Sequence, residues 1–165
     1  RYTGCLFFPV PCYGRGEELL YLLRDRGLFG HYLGDAYFVA HIEEARRIPF
    51  WYRRQNAPVE PLEAGLPPER EGRAAAVFIS DPQLRRPASL RLAHTLLAHG
   101  AYGVLTGTVE ADTPAAALLA QGGLVQALYP VHLNHAQYRQ LCAENSFVES
   151  IPYHSADFPA PSDCL

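Results

Sequence analysis

Apolar positions along this chain fall into two patterns. An apolar, β-prone run at residues 2–10 (YTGCLFFPV), closed by Pro9 and Pro11, reads as a strand, and the unbroken apolar run at 74–79 (AAAVFI) reads as a buried one. Elsewhere the apolar residues recur every third or fourth position, as on a helix. Leu19, Leu20, Leu22 and Leu23 give residues 17–26 a broad apolar face; Glu17 and Glu18 favour the positive end of that helix, and Gly27 stops it. Leu90, Ala93, Leu96 and Leu97 mark a helix that starts near Pro87 and is closed by Gly100 and Gly103. A strand is expected over 104–109, then a short helix from Pro114 to the Gly122-Gly123 pair.

The remaining segments carry weaker patterns. Residues 28–33 read as a short helix stopped by Gly34. Residues 36–42 (AYFVAHI) and 47–53 (RIPFWYR) read as the strands of a hairpin turning at 43–46, with Pro49 favouring a sheet edge. A helix over 40–47 competes with that hairpin, because Ala, Glu and Arg are good helix formers. Residues 55–72, with four prolines and two glycines, form a long exposed connection. Past 124, a strand over 125–133 interrupted by Pro130, a helix over 134–144 capped by Asn134 and a last strand over 146–153 are expected. An irregular tail, 154–165, ends the chain. The expected order is β-α-α-β-β-β-α-β-α-β-(α)-β, an α/β fold with a mixed sheet in one domain over 1–165.

The segment 73–124 is a strand-helix-strand-helix unit with a basic turn, Asp81-Pro82-Gln83-Leu84-Arg85-Arg86-Pro87, entering its first helix. Such a turn is where this kind of unit meets an anion. The stretch Asp112-Thr113-Pro114-Ala115-Ala116-Ala117-Leu118-Leu119-Ala120-Gln121-Gly122-Gly123-Leu124 parallels the closing motif of the GNAT N-acyltransferases, Asn-x-x-Ala-hydrophobic-x-Leu-Tyr-x-x-x-Gly-Phe. Asp112, Ala115, Leu118, Gly123 and Leu124 fall at its Asn, Ala, Leu, Gly and Phe. The basic turn falls at that family's pyrophosphate loop, Pro-x-x-Arg-Gly-x-Gly-x-Gly, keeping the Pro and the first Arg.

On these residues the chain resembles a divergent GNAT protein. The resemblance implies a GNAT-like fold in which the strands at 74–79 and 104–109 are parallel neighbours that splay to admit acetyl-CoA. It places the cofactor against Ile79, Arg85, Arg86, Ala88, Ser89 and Asp112. The implied function is acetyl transfer from acetyl-CoA to an amine, with Glu110 as substitute base and Tyr129 (or Tyr138) as substitute acid. Arg86, Ala88 and Leu90 stand where that family has glycines, Pro87 removes an amide donor, and Leu119 stands where it has a catalytic Tyr. These departures match the alternative, a catalytically inactive scaffold or assembly protein of the kind found in bacteriophage particles.

Composition narrows the field further. The 165 residues give one ordinary domain with nearly half its positions apolar, and no run approaches the roughly 20 apolar residues of a membrane span. The net charge is −3, and all 14 basic residues are Arg, a balance that argues against nucleic acid as partner. No secretory leader opens the sequence, so a cytoplasmic setting is expected, or the virion for a phage component. Cys5, Cys12, Cys142 and Cys164 lack metal or disulfide-framework spacing and are expected to be thiols. His41, Glu43 and Glu44 are further candidate bases, each balanced by a plain structural reading. His132 and His135 lack an obvious third metal ligand. The cluster Phe50-Trp51-Tyr52-Arg53-Arg54 could stack a base or simply join the core. A protein partner would meet 55–72 or 134–144.

Overall fold

A computed structural model describes residues 4–47, 59–62, 74–130 and 133–147. The strands are β1 (Cys5–Pro9), β2 (His31–Gly34), β3 (Glu60–Pro61), β4 (Ala75–Ile79), β5 (Tyr102–Leu105) and β6 (Leu124–Gln126). The helices are α1 (Glu17–Asp25), α2 (Ala36–Ala45), α3 (Pro87–Ala98), α4 (Pro114–Ala120) and α5 (His135–Glu144). The chain divides into two compact units, Arg1–Tyr129 and Pro130–Leu165. Within the first, six strands form one sheet in the order β3-β2-β4-β1-β5-β6, and every recorded pairing is parallel. Among its described residues the second contains α5, capped by Asn134, whose side chain and that of Gln137 each accept the other's backbone N–H.

Alternation along the strands sorts side chains onto two faces. Phe7, Leu33, Ala75, Val77, Ile79 and Leu105 bury against α3 and α4 through Ala93, Leu96, Ala115 and Leu118. Phe8, Val10, Ala76 and Phe78 bury against α1 and α2 through Leu19, Leu20, Phe38 and Ile42. The ring of Phe78 lies between those of Phe8 and Phe38, at centroid distances of 5.6 and 4.8 Å. Helices on both faces explain why 74–79 reads as an unbroken apolar run: all five residues of β4 are buried. The molecule is of the α/β class, and no helix of the described residues is long and apolar enough to cross a membrane.

Several expectations change. The strands expected at 74–79 and 104–109 are parallel but not neighbours, because β1 lies between them, pairing Cys5 with Ala75 and Leu6 with Tyr102. No splay between those two strands is available, and the sheet is parallel throughout its recorded pairs rather than mixed. Strand order is a non-local property that the pattern of one segment does not carry. Residues 28–33 do not form a helix; His31–Gly34 is a strand whose four residues pair with β4, too short to display a period of its own. Residues 36–42 are not a strand. Asp35 accepts the N–H of Phe38 at 2.9 Å and starts α2 there, so a local cap overrides the β-prone aromatics. The strand expected over 104–109 begins and ends earlier, and 125–133 keeps only the three residues of β6. The rest of the expected hairpin, the aromatic cluster at 50–54, most of 55–72, His132, most of the strand at 146–153 and the tail lie outside the described residues.

Candidate functional site

In a parallel sheet all strands end at one edge, and the loops that leave it gather there. In the first unit these are the Pro11–Gly16 stretch after β1, Asp35 after β2, Ser80–Arg86 after β4 and Thr106–Thr113 after β5. β1 and β4 are adjacent, yet their following helices pack on opposite faces of the sheet. Adjacent strands whose loops turn to opposite faces leave a crevice at the carboxyl edge, the usual ligand position of open α/β sheets.

The β2 and β4 loops are tied together by polar contacts. Asp35 accepts the Ser80 backbone N–H at 2.8 Å, and the Ser80 hydroxyl donates to the same carboxylate at 2.7 Å. Arg86 donates to the Ser80 carbonyl and hydroxyl, and its guanidinium lies 3.7 Å from Asp35 and 3.5 Å from Asp81. It also covers the Tyr37 ring, 4.6 Å from the centroid. Asp81, buried, accepts the Arg86 N–H at 2.7 Å just ahead of α3. Gln83 joins this loop to the next: its amide donates to the Thr108 carbonyl at 3.0 Å and its oxygen accepts the Glu110 N–H at 3.1 Å. Thr113, also buried, caps α4 through Ala116.

The loop after β1 supplies the chemistry nearest the crevice. Burial pushes the Cys12 thiol above its ordinary range, partly offset by a hydrogen bond with Ser80. Tyr13 is exposed and its ring meets that of His41 edge-on, 4.1 Å between centroids. His41 Nε2 and Glu17 Oε1 are 2.6 Å apart, both nearly buried, and link α2 to α1. Arg15 Nε donates to the Tyr129 carbonyl at 3.0 Å, and its guanidinium fills the space where a side chain on Gly107 would stand. Thr106 is buried, and its hydroxyl has no hydrogen-bond partner among the described residues.

The expected site residues distribute unevenly over this edge. Arg85 and Glu110 pair with each other and are both largely exposed, so the anticipated anchor and the anticipated base neutralise one another. Arg86 is at the crevice but enclosed by carboxylates. Ile79 is fully buried, with its carbonyl accepting the N–H groups of Val10 and Asp81. Ala88 is exposed and Ser89 buried in the first turn of α3. Asp112 is an exposed turn residue with φ 58° ahead of α4. Tyr129 reaches the edge through its backbone, which bonds both Thr106 and Arg15. His41 is a helix residue rather than a strand residue, and Glu43 and Glu44 are exposed on the same helix. Cys5 and Cys12 are free thiols. No group of three or more metal-ligating side chains occurs among the described residues.

Asp35, Ser80, Arg15 and Thr106 were not singled out from sequence. For Arg15 a signal existed: Gly14-Arg15-Gly16 sits between a buried strand and a helix, where glycine permits close backbone approach to a ligand. Thr106 and Asp35 carried none, since their roles depend on which strands are neighbours. Comparison with known protein families, with characterised proteins and with solved structures finds no match to this chain.

Proposed function

We propose that this chain binds an anionic small molecule at the carboxyl edge of its parallel sheet, in the crevice between the loops after β1 and β4. The observation that carries this reading is the convergence there of polar side chains from four loops: Cys12 and Arg15, Asp35, Ser80 and Arg86, and Thr106. The carboxyl edge of a parallel sheet covered by helices on both faces is where open α/β sheets usually bind their ligands.

Acetyl transfer from acetyl-CoA to an amine fits this crevice in one form. The pyrophosphate would lie by the β1 loop, and the His41–Glu17 pair rather than Glu110 would accept the amine proton, a carboxylate-oriented imidazole being a competent base. The inactive-scaffold reading is favoured by a separate observation: Arg85 and Arg86 are each matched by carboxylates, which leaves little of their charge for a cofactor.

Hydrogen exchange of the chain with and without acetyl-CoA, free CoA, ADP and a panel of small dicarboxylates tests the binding reading. Protection confined to residues 12–17 and 80–86 is expected with at least one of these ligands. Protection elsewhere only, or none with any ligand, would remove the crevice as the site. A thiol-release assay with acetyl-CoA and a panel of amines then separates the two readings. Turnover that is lost in His41→Gln supports acyl transfer, and binding without turnover supports the scaffold.

A further inference from the structure

Resting on the carboxyl-edge reading, we propose that the edge contains an oxyanion subsite built from the N-terminus of α1, Arg15 and the hydroxyl of Thr106, and that it takes a phosphate-type group. Three independent features meet there.

The first is the helix end. Of the helices that leave this edge, α2 has the Asp35 carboxylate on its first turn, α3 follows an N–H taken by Asp81, and α4 has the Thr113 hydroxyl. α1 begins at Gly16, which offers no side-chain acceptor. The loop that delivers it turns at Gly14 with φ 69°, and a side chain at Gly16 would collide with the Pro11 carbonyl and the Phe38 ring. The Glu17 N–H is taken by the Gly14 carbonyl, and a helix start without a side-chain cap carries partial positive charge on the N–H groups that follow. Of the two acids in its first turn, Glu17 is occupied by His41 and Glu18 is exposed.

The second feature is charge. Arg15 has a carbonyl as its recorded partner and no carboxylate among the described residues, unlike Arg85 and Arg86. Its guanidinium stands over Gly107 with Nη1 nearest, and it carries donors beyond the Nε that bonds Tyr129.

The third is Thr106. Register with β1 puts Tyr102 beside Leu6 and Gly103 beside Phe7; continued along the strands, it brings Thr106 level with Val10. Val10 belongs to the face covered by α1 and α2, whereas Leu105 belongs to the opposite face. The Thr106 side chain is therefore directed to the α1 side, where its buried hydroxyl meets no acceptor or donor among the described residues. A buried hydroxyl without a partner is costly, and an oxyanion seated on the helix end would accept its proton. A tetrahedral anion suits an array of two or more N–H groups, a guanidinium fork and one hydroxyl.

Titration with inorganic phosphate, pyrophosphate and ADP, followed by amide NMR of Gly14, Gly16 and Glu17, tests the subsite. Saturable shifts at these amides are expected, with ADP and pyrophosphate distinguishing an esterified group from the free ion. Thr106→Val should weaken binding roughly tenfold or more, and Arg15→Gln roughly tenfold to a hundredfold, as for hydrogen bonds to a charged group. Arg15→Lys should recover part of the loss, and Arg85→Gln should change nothing. Without phosphate, Thr106→Val should unfold at the same temperature as the parent or higher, because the substitution removes an unpartnered hydroxyl. A lower unfolding temperature for Thr106→Val, or an unchanged phosphate response, would overturn the proposal. Dicarboxylates that protect the crevice while phosphate-type ligands leave these amides unmoved would overturn the subsite and leave the broader binding reading standing.

Discussion

Two basic loops leave the same sheet edge and are built in opposite ways. The loop after β4 carries Arg85 and Arg86 and answers both internally, with Glu110 for one and Asp35, Asp81 and the Ser80 oxygens for the other. The loop after β1 carries Arg15, held by one carbonyl, at the start of a helix without a side-chain cap. The count of arginines is therefore a poor guide to where an anion goes. What matters is the charge left after paired carboxylates are counted, and among the described residues Arg15 pairs with none while Arg85 and Arg86 do. The β4 loop acts as a clamp between β2, β4 and β5, and the β1 loop is the part proposed to take a ligand.

The strongest test of that contrast is Asp35→Ala. The carboxylate accepts the Phe38 N–H at the start of α2 and the Ser80 N–H at the end of β4, and it faces Arg86. Loss of the cap costs about 1 kcal/mol, and a partly buried N–H left without an acceptor costs about 1–3 kcal/mol more. A total of roughly 2–4 kcal/mol is expected in urea denaturation as a lower midpoint with an unchanged slope. Arg15→Gln, which removes one hydrogen bond, should cost about 1 kcal/mol or less. If the two variants are equally destabilised, the division into clamp and open loop is wrong.

A smaller effect reads the same contrast through the thiols. Burial pushes the Cys5 thiol from 9.0 up to about 11. Cys12 is also raised by burial, but Ser80 and Arg86 pull it down while Asp35 and Glu17 push it up. Both groups are neutral in the folded chain at neutral pH. Their contribution to stability is complete below about pH 9, where the unfolded thiol begins to ionise, and is lost as pH rises further, for Cys5 through about 11. At a fixed mildly alkaline pH, Cys12 should be alkylated faster than Cys5, and Arg86→Gln should slow Cys12 by removing a cation that favours its thiolate. An unchanged Cys12 rate in that variant would mean that the Arg86 charge does not reach across to the β1 loop.

Legibility from sequence followed the same line between local and non-local. The strand at 74–79, α1, α3, α4 and α5 were readable because their signals are local: an apolar run, a 3.6-residue period, prolines at Pro87 and Pro114, the cap at Asn134. Segments 28–33 and 36–42 were misread. A four-residue strand shows no period, and the aromatic and β-branched residues of α2 outweighed its Asp35 cap in the sequence pattern. The insertion of β1 between β4 and β5 had no sequence signal, and the whole cofactor slot expected between those strands depended on it. The surroundings of the candidate site residues were the least legible, for the same reason. Arg85 and Glu110 are 25 positions apart, and that they cancel each other is visible only once the loops after β4 and β5 lie side by side.

That pair supplies the smallest expected effect and the sharpest check on the argument from residual charge. Arg85 and Glu110 are 59% and 60% exposed, so water and salt screen their attraction and two long side chains must be ordered to hold it. A double-mutant cycle with Arg85→Gln and Glu110→Gln should give a coupling of about 0.5 kcal/mol or less, shrinking further in 0.5 M salt at roughly a 4 Å screening length. The diagnostic variant is Glu110→Gln alone. It frees the Arg85 charge while leaving the backbone N–H of residue 110 available to Gln83, which does not depend on the acid. If neutralisation by Glu110 is what keeps Arg85 from serving as an anion anchor, this variant should acquire weak, salt-sensitive phosphate binding at residues 85–88 that the parent lacks. The same variant should leave the response at Gly14 and Gly16 untouched. No new binding in Glu110→Gln would show that the β4 loop lacks the donor geometry for an anion as well as the charge, and would set it further apart from the loop after β1.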